Sequence, residues 1–427
     1  MSKRNFILLI VILGIAVIAV FGFLYFRQGV DTGGETGEDT NFLSQFNPFG
    51  TSKTKTPAYV TPPADVSGYE PGPEENANVK LRKVSSMPVA GVGVFMKERL
   101  IDTTPPKTEF APAVRYVERA TGNIYQTFAD KIEERKFSAT IIPKVYDSYF
   151  GNKGQSVIMR YLKADDKTIE TFLGALPKEV LGRETGDNEI KGSFLPEDVK
   201  DLSISPDTSK VFYLFESGGS RGDSMIGVIL NFLDSKRVQI FDSPFTEWLS
   251  VWPNEKVITL TTKPSGSTPG YMYKMDSNGR NLVKILGGIN GLTTLAGPSG
   301  KLILYGNNSL SLSIYNTDTR DSVALSVRTL PEKCVWSRGG DAIYCAVPQS
   351  AGRADYPDTW YQGEVSFVDQ IWKINTQNGT AVIIANPSAV AGGEDIDGIK
   401  LTLDEQENHL FFVNKKDSFL WKLNLNQ

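Results

Sequence analysis

Short apolar runs recur along this chain, each closed by polar turn residues, and their arrangement repeats. The clearest unit covers 202–241, LSISPDTSKVFYLFESGGSRGDSMIGVILNFLDSKRVQIF. It reads as an apolar strand, a Ser-Pro-Asp-Thr turn, a second strand VFYLF, a polar loop, a third strand MIGVILNF and a fourth, RVQIF. Pro, Asp and Ser favour turn dihedrals that strand residues avoid. Runs of this length rich in Val, Ile, Phe and Tyr predict strands.

The second strand of the unit anchors a search for copies. It recurs as Val114–Glu118, Val157–Leu162, Val211–Phe215, Val257–Thr261, Leu302–Tyr305, Ile343–Val347 and Leu410–Val413. Successive copies start 43, 54, 46, 45, 41 and 67 residues apart. All but the last interval are close to the roughly 40–50 residues of a four-stranded propeller blade. Turns such as SPDTSK, WPNEK, GPSGK and SRGGDA precede these strands, and a third strand follows each, from NIYQTF to FLWKL. The last unit, Ile399–Gln427, offers three strands. Val79–Val84 (VKLRKV) supplies a fourth, joining the two ends of the domain and covering open strand edges. The fold class is therefore all-β: a β-propeller of seven four-stranded blades, with the N-terminal strand closing the last blade; six or eight blades are the alternatives, since the first two units are degenerate.

The units resemble the WD40-like (PD40) blades of TolB-type β-propellers, whose signature is similar to SPDTSKVFYLF here. The resemblance covers about 79–427 and rests on repetition, since one unit alone shows S-P-D in full. It implies a protein-interaction platform and carries over no catalytic residues.

The extra length of the long interval lies in Pro348–Val368, PQSAGRADYPDTWYQGEVSFV, between strands two and three of the sixth blade. Long insertions on repeat proteins often carry binding. Aromatics among charges make Arg353, Tyr356, Trp360 and Tyr361 the candidate partner-binding residues. A loop that folds back and buries its own aromatics is the equal alternative.

Before the repeats, Phe6–Phe26 is a run of 21 residues without a charge. At 1.5 Å per residue it spans about 31 Å, the thickness of a bilayer's hydrocarbon core. It predicts a transmembrane helix after a cytoplasmic stub (1–5), with Lys3 and Arg4 favouring a cytoplasmic N-terminus. The run is long for a cleaved signal peptide, and no A-x-A site follows it. Residues 27–78, rich in Gly, Thr, Pro and Glu, read as a flexible linker with a reach of about 40 Å. Within it Asn41–Gly50 (NFLSQFNPFG) is an apolar island. The expected localisation is the cell membrane, single-pass, with the propeller (79–427) extracytoplasmic.

Composition narrows the chemistry. The 427 residues carry a net charge of -4, so no basic footprint points to nucleic acid. One histidine and two cysteines limit triads and metal sites. If Ser337 pairs with Ala342 across the turn of the sixth unit, Cys334 faces Cys345 at disulfide range. An extracytoplasmic location permits that bond. His409 reads as a solvated strand-start residue, and Glu394–Asp397 (EDID) as a solvated loop rather than a calcium loop. No cofactor is expected. The reading is a membrane-anchored scaffold that binds a protein or an envelope polymer. A propeller hydrolase or lyase acting on glycans or peptides, and a structural subunit of an envelope assembly, are the alternatives.

Overall fold

The computed structural model describes residues 79–426 apart from 104, 182–187, 219–222 and 391–392. The expected membrane helix (6–26), the linker (27–78) and the island at 41–50 lie outside the described residues. Among the described residues no helix is long and apolar enough to cross a membrane.

The chain forms seven four-stranded antiparallel sheets. In each of the first six, strands follow in chain order from the innermost to the outermost: blade one is 89–136, two 145–194, three 199–243, four 248–290, five 293–328 and six 334–385. Blade seven takes its inner three strands from 398–424 and its outer strand from Leu81–Lys83. That strand pairs antiparallel with the third strand, Leu81 opposite Leu423 and Lys83 opposite Trp421. The ring closes as the sequence predicts.

Apolar packing explains the ring. Among the described residues, seven clusters of buried apolar side chains sit between neighbouring blades, one for each junction. Second strands are covered on both faces, which is why they read as unbroken apolar runs rather than alternating ones. Val211, Phe212, Tyr213 and Leu214 are all buried. Burying each large side chain contributes about 1.5–3 kcal/mol, so the closed ring gains at every junction. Inner strands crowd one another. A side chain at Gly91 of blade one would put its Cβ 2.1 Å from the Ser148 carbonyl oxygen of blade two.

The turn between first and second strands has a shared construction. In blade three Ser205 Oγ accepts from Lys210 N (2.9 Å) and donates to Asp207 (2.6 Å). In blade six Ser337 Oγ accepts from Ala342 N (3.0 Å) and donates to Asp341 (2.7 Å). Asp404 fills the acceptor role in blade seven, taking the His409 N–H at 3.0 Å. Ser205, Pro206 and Asp207 therefore belong to turn architecture. With Ser337 tied to Ala342 through its N–H (2.9 Å), Cys334 and Cys345 are directly paired, and a disulfide joins them.

Blade one departs from the pattern. Its first two strands, Val89–Thr103 and Pro106–Glu118, run 15 and 13 residues and form a hairpin that extends past the blade. The third strand, Ile124–Phe128, covers the second only from Ala113 to Val117. The outer strand is two residues, Arg135–Lys136.

Candidate functional site

The insertion folds back. Residues 348–368 cross one end of the propeller with a single helical turn, Asp358–Tyr361. Tyr356, Trp360 and Phe367 are buried with Leu310 and Leu330 of blade five. Trp360 stacks on Phe367 with ring centres 6.4 Å apart. Tyr356 and Trp360 are therefore anchors, not the exposed contacts their composition suggests. Of the four candidate residues Arg353 and Tyr361 are exposed, Tyr361 at 39%.

Four blades hold this cap. Asp358 accepts the Gly266 N–H of blade four at 2.5 Å. Leu310 and Leu330 provide the apolar floor. Lys415 of blade seven donates to the Trp360 carbonyl at 2.7 Å. The strongest hold is a fully buried charged cluster. Lys333 donates to Asp369 (2.8 Å) and to Asp397. Asp397 also accepts from Trp360 Nε1 (3.0 Å), Phe367 N (3.1 Å) and Ser366 Oγ (3.2 Å). Burial raises the Asp369 carboxyl above the ordinary aspartate value against the pull of Lys333, and Asp397 beside it adds to the rise. Buried charges persist only when paired and hydrogen-bonded; here the cap supplies several of the partners. This corrects the sequence reading of 394–397 as a solvated loop, since Asp397 is the centre of the cluster. His409 does begin a strand, the second of blade seven, but it is not freely solvated: its Nδ1 lies 2.9 Å from Asp404, so it is held against its turn.

Beside the cap lies an open groove of about 720 Å³, where the insertion meets blade five. Arg328, Arg353, Asp355, Glu364 and Asn308 line it. Arg328 is fixed by two hydrogen bonds to the Ser309 carbonyl, at 2.6 and 3.2 Å. The groove thus presents one positioned guanidinium, that of Arg328, together with the side chains of Arg353, Asp355 and Glu364.

Four inner strands place a polar residue third, Asp147, Asp201, Ser250 and Lys400 in blades two, three, four and seven; the others have Gly91, Leu295 and Trp336 there. Lys400 donates to Asp147 and to the Ala90 carbonyl (2.6 Å), joining blades seven, two and one. Arg160 joins Asp147 (3.2 Å) to the Val199 carbonyl (2.5 Å). Asp201 accepts both the N–H and Oγ–H of Ser250 at 2.6 Å. Burial pushes Asp201 up to about 6, against those two hydrogen bonds. Glu332, next to Lys333, is pushed up to about 7 by burial; the Tyr361 hydroxyl it accepts pulls the other way, and Asp201 pushes it further up. Its Oε2 is buried with no hydrogen-bond partner among the described residues. Two carboxyl groups with raised and separate values are what acid–base chemistry needs, but each is also a tie within the ring.

A further buried charge, Arg115 of blade one, donates to the Gly154 carbonyl (2.5 Å) and to Glu179 (2.9 Å), both of blade two and its following loop. Among the described residues no group of His, Cys, Asp or Glu side chains is arranged to hold a metal ion.

No family model matches the sequence, and no curated protein matches it. The resemblance to TolB-type repeats thus rests on the turn and strand pattern alone. Among solved structures, the oligogalacturonate lyase of Vibrio parahaemolyticus aligns with a TM-score of 0.48 and 11% identity, over 79% of this chain and 98% of that one. An oligogalacturonate lyase in complex with manganese aligns with a TM-score of 0.46 and 9% identity, over 79% and 98%. The blade count and topology given above come from this chain's own strand pairing.

Proposed function

We propose that the protein is a membrane-tethered, extracytoplasmic binding platform of the TolB-like type, engaging a protein or envelope polymer through the capped end of its propeller. The observation that carries this reading is the open mixed-charge groove between the cap and blade five. It is large, polar and built on a rigid floor, and Arg328 is pre-positioned within it. Rigid placement of a guanidinium lowers the entropy lost on binding. The test is a photo-crosslinking residue in place of Arg353, in the full-length protein in its native membranes. One dominant adduct that disappears with Arg328→Glu is expected. Adducts that survive that change, or arise equally from a residue on the opposite end, overturn the reading.

A second reading has one specific support. Glu332 and Asp201, with raised carboxyl values and an unpartnered Glu332 oxygen, form a pair suited to general acid–base hydrolysis or elimination on a glycan or peptide. Purified protein incubated with acidic and neutral oligosaccharides and with peptides would release new ends or unsaturated products. Activity retained in Glu332→Gln and Asp201→Asn removes this reading.

A further inference from the structure

The hairpin of blade one carries a second interaction surface, and its occupant can be argued from strand geometry. In the second strand the Pro112 carbonyl accepts from Ala129 N (2.9 Å) and Glu118 N donates to the Asn123 carbonyl (2.9 Å), both toward the outer side of the blade. Main-chain groups alternate in direction along a strand. The register shifts against the first strand fall between Val89 and Gly91 and between Leu100 and Asp102, so the second strand keeps its alternation throughout. The outward groups are therefore those of even-numbered residues. Among the described residues no strand covers this side from 112 toward the tip, because the third strand ends opposite Ala113. Thr108 and Phe110 turn both N–H and C=O outward there, and Pro106 turns a C=O outward. Pro106–Phe110 are all exposed, Phe110 at 68%.

An open edge of this kind is a template for another strand. We propose that the occupant is a second copy of this chain, pairing antiparallel edge to edge about Thr108. The charges select that occupant and that register. Self-pairings centred on Lys107, Thr108, Glu109 or Phe110 bring outward groups opposite one another; the one centred on Phe110 makes a single Phe110–Phe110 exchange, because Pro112 has no N–H and its carbonyl is taken by Ala129. Centring on Lys107 sets Lys107 against Lys107, and centring on Glu109 sets Glu109 against Glu109. Like charges directly opposite are destabilising. Centring on Thr108 sets Lys107 opposite Glu109 on both sides of the twofold axis. Glu109 is ready for this: Arg99 takes its Oε1 at 2.8 and 2.5 Å and leaves Oε2. The Lys107 ammonium makes no hydrogen bond or ion pair among the described residues, its main chain pairing with the first strand.

The same register uses the proline. The two Thr108 residues exchange a pair of main-chain hydrogen bonds. Each Phe110 N–H meets a Pro106 C=O of the other copy, and each Phe110 ring lies on that proline. The missing Pro106 N–H falls where the pairing ends. The contact is isologous, and its small area makes it weak. It therefore depends on high local concentration.

Single cysteines read the register directly in the full-length chain, whose own two cysteines are already joined. In mild detergent with copper–phenanthroline as oxidant, Thr108→Cys is expected to give a disulfide-linked dimer, since directly opposed Cα atoms lie about 5.5 Å apart. Lys107→Cys and Glu109→Cys are expected to stay monomeric, because neither residue faces itself. Sedimentation of the uncrosslinked protein is expected to show a weak dimer. Lys107→Glu weakens it about ten-fold by losing both pairs, and adding Glu109→Lys restores it to within about three-fold. The proposal is overturned by cross-linking at 107 or 109 instead of 108, or by a wild-type protein that stays monomeric at every concentration reached. Thr108→Cys adducts in membranes to a different protein, with no self-adduct, overturn it equally. Circular dichroism melts of each variant separate these outcomes from misfolding.

Discussion

Two segments break the blade pattern, and they do so in opposite directions. The insertion of blade six is rich in aromatic residues and turns inward. Its Trp, Tyr and Phe fill a floor made by blade five, and its polar atoms complete a buried charged cluster. The hairpin of blade one is poorer in large aromatics and reaches outward. It leaves Ile101 and Phe110 exposed and one strand edge open. The difference teaches that a departure from a repeat does not by itself mark a contact surface. What matters is whether the departing segment brings enough apolar area to cover itself. Residues 348–368 do; the hairpin tip does not.

The contrast predicts unequal costs. The largest belongs to Lys333→Ala. It leaves Asp369 and Asp397 buried without their cation, an uncompensated charge worth about 3–5 kcal/mol. Urea unfolding of the isolated protein measures it; a loss under about 1 kcal/mol would mean that water reaches the cluster. Next comes the disulfide next door. Its cysteines are separated by 11 positions, and replacing both with Ala removes a loop constraint worth about 3 kcal/mol, read as a lower denaturation midpoint that reductant no longer changes.

A smaller effect is one of pH. The folded-state values of Glu332 (about 7, from 4.5) and Asp201 (about 6, from 3.8) lie above the unfolded ones. Between those limits the folded protein binds more protons than the unfolded one, so stability falls as pH rises. Glu332→Gln is expected to flatten the upper part of the window, from pH 6 to 7, and Asp201→Asn the lower part. Unchanged slopes in thermal melts across pH 4–7 would show that solvent already screens both groups. The smallest effect is expected from Phe110→Ser in the hairpin, within about 0.5 kcal/mol of the parent in dilute, monomeric protein, because within one chain its ring is in water. A large loss there would mean that the same chain covers the hairpin.

Much of this was legible before any coordinates. The intervals between apolar runs point to seven blades, and the strand pairing decides for seven over the six or eight that the degenerate first units also allow. The unmatched three-strand unit and the spare VKLRKV specify the closure. Counting back from the turn at Ser337 to Ala342 specifies the cysteine register. These features depend on local alternation and turn chemistry, which a sequence displays directly.

The site was less legible. Tyr356 and Trp360 were visible as a cluster, yet the direction of a loop depends on which surface awaits it, and Leu310 and Leu330 are distant in sequence. Lys333 and Asp397 each precede a strand and Asp369 begins a third, and nothing local couples them. Signals did exist. Arg115 sits inside the apolar run VRYVE, and a charge there implies a buried partner. VYDSYF and VKDLSI place Asp at the same third position of two inner strands. That repetition becomes informative only once both strands are known to be the innermost of their blades, because equal positions then lie at one level. The open edge at Thr108 was hidden for another reason: it depends on where the neighbouring strand stops, not on any residue in the edge itself.

The ring closure has a consequence in time. The strand Leu81–Lys83 and the strand it joins are far apart in the chain; the Leu420 N–H that bonds Ser85 Oγ is 335 residues downstream. At about 5–20 residues per second, a ribosome needs roughly 20–70 s to deliver one after the other. During that interval the early strand has no mate, and the first six blades must be made, and kept from pairing with it, before the circle can shut. The clasp is made before every blade that it closes and is the last to fasten.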